Sequence, residues 1–433
     1  MLALFGVATI AALLIGILSK RVSPLVALIA APIVAALAAG FGGRTFTFAV
    51  EGIQSVAPLA AMNVFAIIFF GVLADAGLFA PFVRGILRIV GREPARIAAG
   101  TTLLAGLVQL DGAGAVTFLI TIPAMRPLYD ELRMDRRVLA CTCALGAGIN
   151  NMFPWGGPTM RAASALETPI TDIYNPLAPV QAIGFAFALA CAWWMGAREA
   201  RRLKALAPIE VAAAAETPAS AAPLWRTLVN TLLVIGVVVA MVVTVDGHPL
   251  VHPAIAFMIA AALALLVNYP APDAQAARID AHAPAALMLA SVLFAAGAFT
   301  GIMKGTGMLT AMASAGAGLI PPAAAAHMPA LIGVFSVPLS VVFDPDSFYF
   351  GVLPVVAGVG AQIGLPPDDI AQGALIGQMT TGFPISPLTP ATFLLIGLAG
   401  VSLADHQRFS LFYLWLAGIV MTIAAVALGV FPL

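Results

Sequence analysis

The apolar runs in this chain are as long as a bilayer is thick, and they recur from end to end. A helix rises about 1.5 Å per residue, so about 20 apolar residues cross a hydrocarbon core of about 30 Å. Runs of this kind lie near 2–19, 23–40, 57–79, 98–125, 137–165, 176–197, 226–245, 251–268, 284–303, 329–362, 370–400 and 410–431. Short polar links separate them, which predicts an all-α polytopic membrane protein. Only 9% of the 433 residues are charged, against about 25% in a soluble domain. The net charge is zero, so nucleic acid is not the expected partner. Cys141, Cys143 and Cys191 fall in apolar runs and read as small core residues, not as disulfides or metal ligands. The first run, MLALFGVATIAALLIGILSKR, carries its basic pair after it. That is the pattern of a first transmembrane helix rather than of a cleaved signal peptide.

Four runs are interrupted. Segments 98–125 and 329–362 break at their midpoints, at LDGAG and FDPDS, and each half is too short to span. Both read as re-entrant hairpins that enter and leave on one side. Segments 137–165 and 370–400 break at NNMFPWGGP and TTGFPISPLTP and read as discontinuous helices. The polar, Ala/Pro-rich link 198–226 divides the chain into 1–197 and 227–433. With both hairpins non-crossing and the N-terminus outside, the cytoplasmic links hold all 20 basic residues except three. Arg44 and Lys304 lie outside, and Arg161 falls within a segment, so the orientation obeys the positive-inside bias. The halves also resemble each other. FFGVLADAGLF (69–79) aligns with FTGIMKGTGML (299–309), NNMFP (150–154) with TTGFP (380–384), and LDGAGAVTF with FDPDSFYFG. The two copies run in opposite senses across the membrane. Inverted repeats with broken helices are the architecture of secondary transporters, with the site at midplane where the repeats meet.

Asp75, Asp111, Arg161, Asp344 and Asp346 are the ionisable residues placed at membrane depth. Each costs roughly 2.5–3.5 kcal/mol at the centre of a lipid-facing helix, so they must face protein or a water-filled cavity. Gly112, Gly114 and Pro345 permit the two hairpin turns. Asp111 either caps the amides of the returning half-helix or coordinates a cation. Asp75 reads equally as a structural ion pair or a functional group. The breaks offer Asn150, Asn151, Thr159, Thr380, Thr381, Ser386 and Thr389 as neutral donors for a carboxylate, beside half-helix N-termini that favour an anion. The Arg161 guanidinium matches a carboxylate bidentately; the bland alternative is that it snorkels or pairs with Glu167. His248, His252, His282, His327 and His406 sit in links or at helix ends with no metal-ligand spacing.

The segments LDGAGAVTFLITIPAM, FPWGGPTMRAASAL, DSFYFGVLPV, FPISPLTPATFLLIGLAGV and ADHQRF resemble the citrate–metal:proton symporter (CitMHS) family of the ion transporter superfamily, over nearly the whole chain. The resemblance implies uptake of citrate through a bacterial inner membrane, as a complex with a co-transported divalent metal such as Mg or Ca, driven by protons and with no permanently bound cofactor. It also implies a homodimer with a static scaffold and a mobile transport domain of the elevator type. By motif position the binding role falls on Asp111 to Gly114, Asn151, Gly156, Gly157, Thr159, Asp344 to Ser347, Ser386, Pro387 and Thr389; Asn150, Pro158, Arg161, Thr380 and Thr381 of the breaks complete the candidate set, with Asp111 or Asp344 as the carboxylate for a metal or coupling proton. One departure stands out: where the family often reads LDGDGTTT, this chain has Ala113 and Ala115. A metal-independent, proton- or sodium-coupled di- or tricarboxylate carrier is therefore the alternative. Of the other classes, an intramembrane aspartyl protease lacks its GxGD arrangement here, so no enzyme is expected. The repeats also have no role in that reading, and uptake against a gradient, abolished by a protonophore, would separate a transporter from a passive channel.

Overall fold

The computed structural model describes residues 1–19, 21–112, 114–204, 223–242, 244–245, 248–318 and 326–433. Ala113 and most of the 198–226 link lie outside the described residues. Apart from a two-residue ladder, Thr244–Val245 with His248–Pro249, the described chain is helical. The first half holds α1 (Leu2–Leu18), α2 (Pro24–Ala38), α3 (Arg44–Asp75), α4 (Ala80–Val90), α5 (Pro94–Val108), α6 (Gly114–Glu131), α7 (Arg136–Asn150), α8 (Gly157–Leu166), α9 (Ile170–Tyr174) and α10 (Ala178–Lys204). The second holds α11 (Leu224–Val242), α12 (Pro253–Asn268), α13 (Pro272–Gly305), α14 (Met308–Ala317), α15 (Met328–Val342), α16 (Leu353–Gln362), α17 (Pro367–Leu375), α18 (Pro390–Ala399) and α19 (Leu403–Ala427).

Among the described residues, four helical stretches are long and apolar enough to cross a membrane: Arg44–Asp75, Ile170–Lys204, Pro272–Gly305 and Leu403–Ala427. The other apolar helices run 10–17 residues. All four interrupted segments are split where their Asp, Gly and Pro residues fall. Proline opens most of the half-helices at their first turn, where its missing N–H costs nothing. Side-chain caps start others: Ser23 accepts from the Val26 amide, Asp135 from that of Arg137 and Ser402 from that of Asp405. α4, α9 and α14 are short helices in links that the apolar runs did not announce.

The helices pack in two groups. In the first, α3 and α13 lie along each other, α2 packs on α13, α12 packs on α3, and α1 and α11 flank α2 and α12. Glycine lets the central pair approach. A Cβ at Gly52 would lie 2.0 Å from the Gly297 carbonyl oxygen, and one at Gly301 would lie 2.3 Å from that of Phe48. Such small-residue crossings are how helices associate in lipid, where apolar burial supplies little. Large side chains such as Val34, Leu232 and Ile259 remain exposed on the outer helices, as a lipid-facing surface requires.

The second group holds the interrupted segments. α5 and α6 pack on each other and on α7, whereas α15 and α16 both pack on α17. α10 and α19 pack on each other and on α7, and brace α5 and α15 respectively. Cys141 and Cys143 are buried in α7 and Cys191 is half-buried in α10, all as free thiols. The groups meet where α8 packs on α13 and α3, and where α1 lies against a π-helical turn, Ser347–Val352, that precedes α16. The apolar pattern gave no hint of that turn. π-helical turns are rare and concentrate at functional sites.

Candidate functional site

The two tips and the two breaks close on one another. At the first tip α5 tightens into a 3₁₀ turn, Gln109–Asp111, and Gly112 reverses the chain at φ +74. That left-handed conformation is what glycine permits. Gly114 serves differently: it starts α6 against the Phe383 ring of the second break, where a Cβ would lie 2.7 Å from the ring. Phe118, a turn later, stacks on the same ring at 5.8 Å. The first break packs beneath this tip. Trp155 donates its indole N–H to the Leu110 carbonyl at 2.7 Å. It also stacks on Phe70 of α3, with Phe257 of α12 at its edge. A chain of amides then joins tip to breaks. Gln109 accepts from the Thr117 hydroxyl (2.8 Å) and donates to Asn151 (3.0 Å), and Asn151 donates to the Met379 carbonyl (2.8 Å).

Met379 carries the backbone strain of the second break. It has φ +53 without being glycine, a conformation that costs on the order of 1–3 kcal/mol. The strain is held from both sides, because its carbonyl accepts from Asn151 and its amide donates to Ser340 Oγ at 2.9 Å. Gly148 allows α7 to come this close, since a Cβ there would lie 3.0 Å from the Thr381 Cα.

The second tip is built from carboxylates. Asp344 Oδ1 accepts from the amides of Asp346 (3.0 Å) and Ser347 (3.1 Å), and its Oδ2 accepts from the Ser347 hydroxyl (2.5 Å). Asp346 instead reaches across to α8 and pairs with Arg161 Nε at 2.7 Å. Both side chains of that pair are nearly buried, 13% and 12% exposed. Arg161 also donates through Nη1 to its own Gly157 carbonyl at 3.2 Å. Gln378 ties this tip to the second break by donating to the Phe343 carbonyl, and its own carbonyl accepts from the buried Tyr349 hydroxyl at 2.7 Å.

Several expected donors are already committed. The Thr380, Thr381, Thr159 and Thr389 hydroxyls donate to the carbonyls of Leu375, Ile376, Met152 and Phe383. Ser386 Oγ accepts from the Leu388 amide. These groups supply the hydrogen bonds that a broken helix lacks. Asn150 points away from the breaks, to the Gly106 carbonyl and Gln181. Gly156 allows the first break to fold back, because a Cβ there would lie 2.3 Å from the Asn151 carbonyl. Pro158 is buried in the first turn of α8, and Pro387 is half-buried in the second break. The alternative pairing of Arg161 with Glu167 does not occur: Glu167 ends α8 at φ +55 and pairs with Lys304 of α13. Asp75 ends α3. Arg278 (3.1 Å) and His282 (3.0 Å) of α13 hold it, so it tethers α3 to α13.

Gln109, Gln378, Ser340 and Met379 were missed in the sequence. A lone amide inside an apolar run was the available signal for both glutamines. His406, set aside as a helix-end residue, is fully buried and donates from Nε2 to the Pro384 carbonyl at 3.0 Å. Beside it, Gln407 donates to the Ile385 carbonyl at 2.8 Å. A cavity of about 390 Å³ lies one turn along α8 from Arg161, between α3, α8, α9 and α12, lined by Ser55, Met62, Ser164, Thr168, Thr171 and His252 among others.

Known proteins supply the context for this arrangement. The profile of the CitMHS family, described as citrate transporters, matches residues 9–377. A "Citrate transporter" of Bacillus subtilis (strain 168) is 41% identical, with 99% of each chain covered. The "Mg(2+)/citrate complex secondary transporter" of the same organism is 39% identical over 99% of each chain. Among solved structures, the YdaH transporter of Alcanivorax borkumensis superposes with TM-score 0.64 at 16% identity, covering 89% of this chain and 87% of that one. MtrF of Neisseria gonorrhoeae superposes with TM-score 0.58 at 11% identity, over 88% and 83%. The two structures share the fold of this chain, and the relatives share its sequence from end to end. The chain belongs to the CitMHS family of citrate transporters.

Proposed function

We propose that this transporter imports citrate as a complex with a divalent metal, Mg or Ca, by proton symport across a bacterial inner membrane. The observation that carries the reading is the charge of the tips and breaks: three carboxylates, Asp111, Asp344 and Asp346, stand against one guanidinium, Arg161, which pairs with Asp346. A bare citrate trianion meets little positive excess there. Two unit charges at 4 Å interact by about 4 kcal/mol at an effective ε of 20. The metal complex carries only one negative charge, so its entry is far less opposed. The relative named for a Mg(2+)/citrate complex supports the same choice.

The binding set is the one the tips and breaks define, Asp111, Gly112, Gly114, Asn151, Gly156, Gly157, Thr159, Arg161, Asp344, Asp346, Ser347, Ser386, Pro387 and Thr389. The N-termini of α8 and α18, at Gly156 and Thr389, have no side-chain cap and favour an anion. The halves 1–197 and 227–433 act as inverted repeats, which the reciprocal packing of α2 on α13 and α12 on α3 supports. The group built on α3 and α13 is the scaffold of a homodimer. The group holding both tips moves against it as an elevator, with the 198–226 link cytoplasmic. Reconstituted protein should take up labelled citrate down an inward proton gradient, lose uptake in excess chelator, and regain it with one divalent metal. Equal uptake in metal-free buffer would instead support the metal-independent carboxylate carrier.

A further inference from the structure

We infer that Asp346, rather than its neighbour Asp344, is the carboxylate that couples proton to substrate, by exchanging with a substrate carboxylate on Arg161. This rests on the reading that the tips and breaks hold a carboxylate substrate.

The argument begins with what the two aspartates of FDPD do. Asp344 is held in place by three hydrogen bonds, from the Asp346 amide, the Ser347 amide and the Ser347 hydroxyl. All three use its oxygens as acceptors and fold the turn that starts the π-helical segment, so Asp344 is committed to its own backbone. Asp346 accepts from a single side chain, Arg161 Nε, across 185 residues of sequence. The pair is nearly buried and spans two elements, the second tip and α8. A substrate carboxylate and the Asp346 carboxylate are the same ligand for that guanidinium. When both are ionised, two like charges crowd one cation in a poorly hydrated place, and such crowding is relieved by a shared or bound proton. Protonated Asp346 releases the Nε donor, and the guanidinium turns its fork to the substrate. Substrate and proton then enter as one event. A proton binds where a carboxylate lost its cation, and the cation gains another carboxylate.

The surroundings leave this exchange to Asp346. Of the charged or titratable groups on the elements packed around the π-helical segment, α8 brings Arg161 and the tip itself brings Asp344 and the Tyr349 hydroxyl, which is donated to the Gln378 carbonyl. The near end of α13 brings Lys304, which is held by Glu167. α1 and α16 bring no charged side chain.

The test is the pH dependence of citrate binding at saturating metal, measured on the full-length purified protein. In the wild type, affinity should tighten by up to tenfold for each unit that pH falls, beyond any dependence that comes from citrate itself. Asp346→Asn should abolish that extra slope and bind citrate at pH 8 at least tenfold more tightly than wild type. It should no longer accumulate citrate on a proton gradient. Asp75→Asn, which removes a carboxylate held by Arg278 and His282 of α13, is the control and should keep the wild-type slope. An unchanged slope in Asp346→Asn overturns the inference. Should that variant not fold, the wild type still decides: adding preformed metal–citrate in weak buffer should draw about one proton from solution per citrate bound, and no uptake overturns it. Absence of any citrate binding by the wild type would be a different failure, that of the proposed function.

Discussion

One tip lies in each half of the chain, and the two are held by different chemistry. The first tip is joined to the breaks by amides and an indole. It is fixed by an amide chain from Thr117 through Gln109 and Asn151 to Met379, and by the Trp155 indole on the Leu110 carbonyl. The second tip is ionic, with Asp344 folding the turn and Asp346 paired to Arg161. The lesson concerns stiffness and response. An amide chain has one protonation state and holds the same geometry at every working pH. An ion pair in a nearly buried place can be dissolved by a proton or by a competing carboxylate. The amide chain is therefore a fixed strut, and the Arg161–Asp346 pair is a link that answers to charge.

Removing the cation should do the most damage to this contrast. Arg161→Ala leaves Asp346 buried without its partner, a loss of about 3–5 kcal/mol of stability. Citrate affinity should fall about 10–100-fold, from the loss of a charge-assisted bond worth about 1.5–3 kcal/mol. Arg161→Lys should recover the stability better than the binding, because an ammonium lacks the planar fork. Thermal melts and citrate titrations check both. Wild-type affinity in the Ala variant would remove Arg161 from the site.

The neutral tip should fail differently. Gln109→Leu orphans the Asn151 acceptor at a cost of about 1–3 kcal/mol. It should weaken citrate by a factor that is constant with pH. A pH-dependent factor would contradict the description of this amide chain as a fixed strut. At the ionic tip, Asp344→Asn retains one acceptor oxygen. It should cost about 0.5–2 kcal/mol, as the loss of a cap does, with the pH slope of citrate binding kept. Loss of the slope there would exchange the roles assigned to Asp344 and Asp346.

The smallest effects lie where the broken helices begin, at Asp135 before α7 and Asp368 in the first turn of α17. Burial pushes the Asp135 carboxyl up, but the bonds and charge from Arg137 outweigh it and hold the group below its usual range. The Asp368 carboxyl is pushed up, by burial and by nearby Asp172 against a bond from Thr168. The signs are opposite. Asp135 stabilises the fold above the ordinary carboxylate range, and that contribution is lost as pH falls through its lowered value. Asp368 destabilises at neutral pH, and that penalty is gone once both states are protonated. Asp135→Asn should therefore lower the melting temperature at pH 7 and Asp368→Asn should raise it, each by no more than about 2 °C. Both differences should close toward pH 3. Melting curves at pH 7, 5 and 3 measure this, and a shared sign would refute it.

Much of this was legible in the residues. The split of 137–165 into α7 and α8 and that of 370–400 into α17 and α18 follow from NNMFPWGGP and TTGFPISPLTP, because proline and glycine act on the backbone where they stand. The site was legible as a neighbourhood but not as a set of roles. Thr380, Thr381 and Ser386 were read as donors for a ligand, and in the fold they bond to backbone freed by the break. His406 looked bland because the carbonyl it holds, that of Pro384, is 22 residues upstream and exposed only by the break.

The sequence by itself determined that this is a membrane protein with two interrupted segments in each half, and where each interruption falls. Those properties depend on run length and on local backbone chemistry, which a linear string records. Only the tertiary structure decided that Asp346 rather than Asp344 meets Arg161, that Gly114 is small for the sake of Phe383, and that Met379 is held in a strained conformation by Asn151 and Ser340. Two aspartates two residues apart are the same chemical group in a sequence. They become different when packing brings a guanidinium from 185 residues away to one of them and leaves the other to fold its own turn.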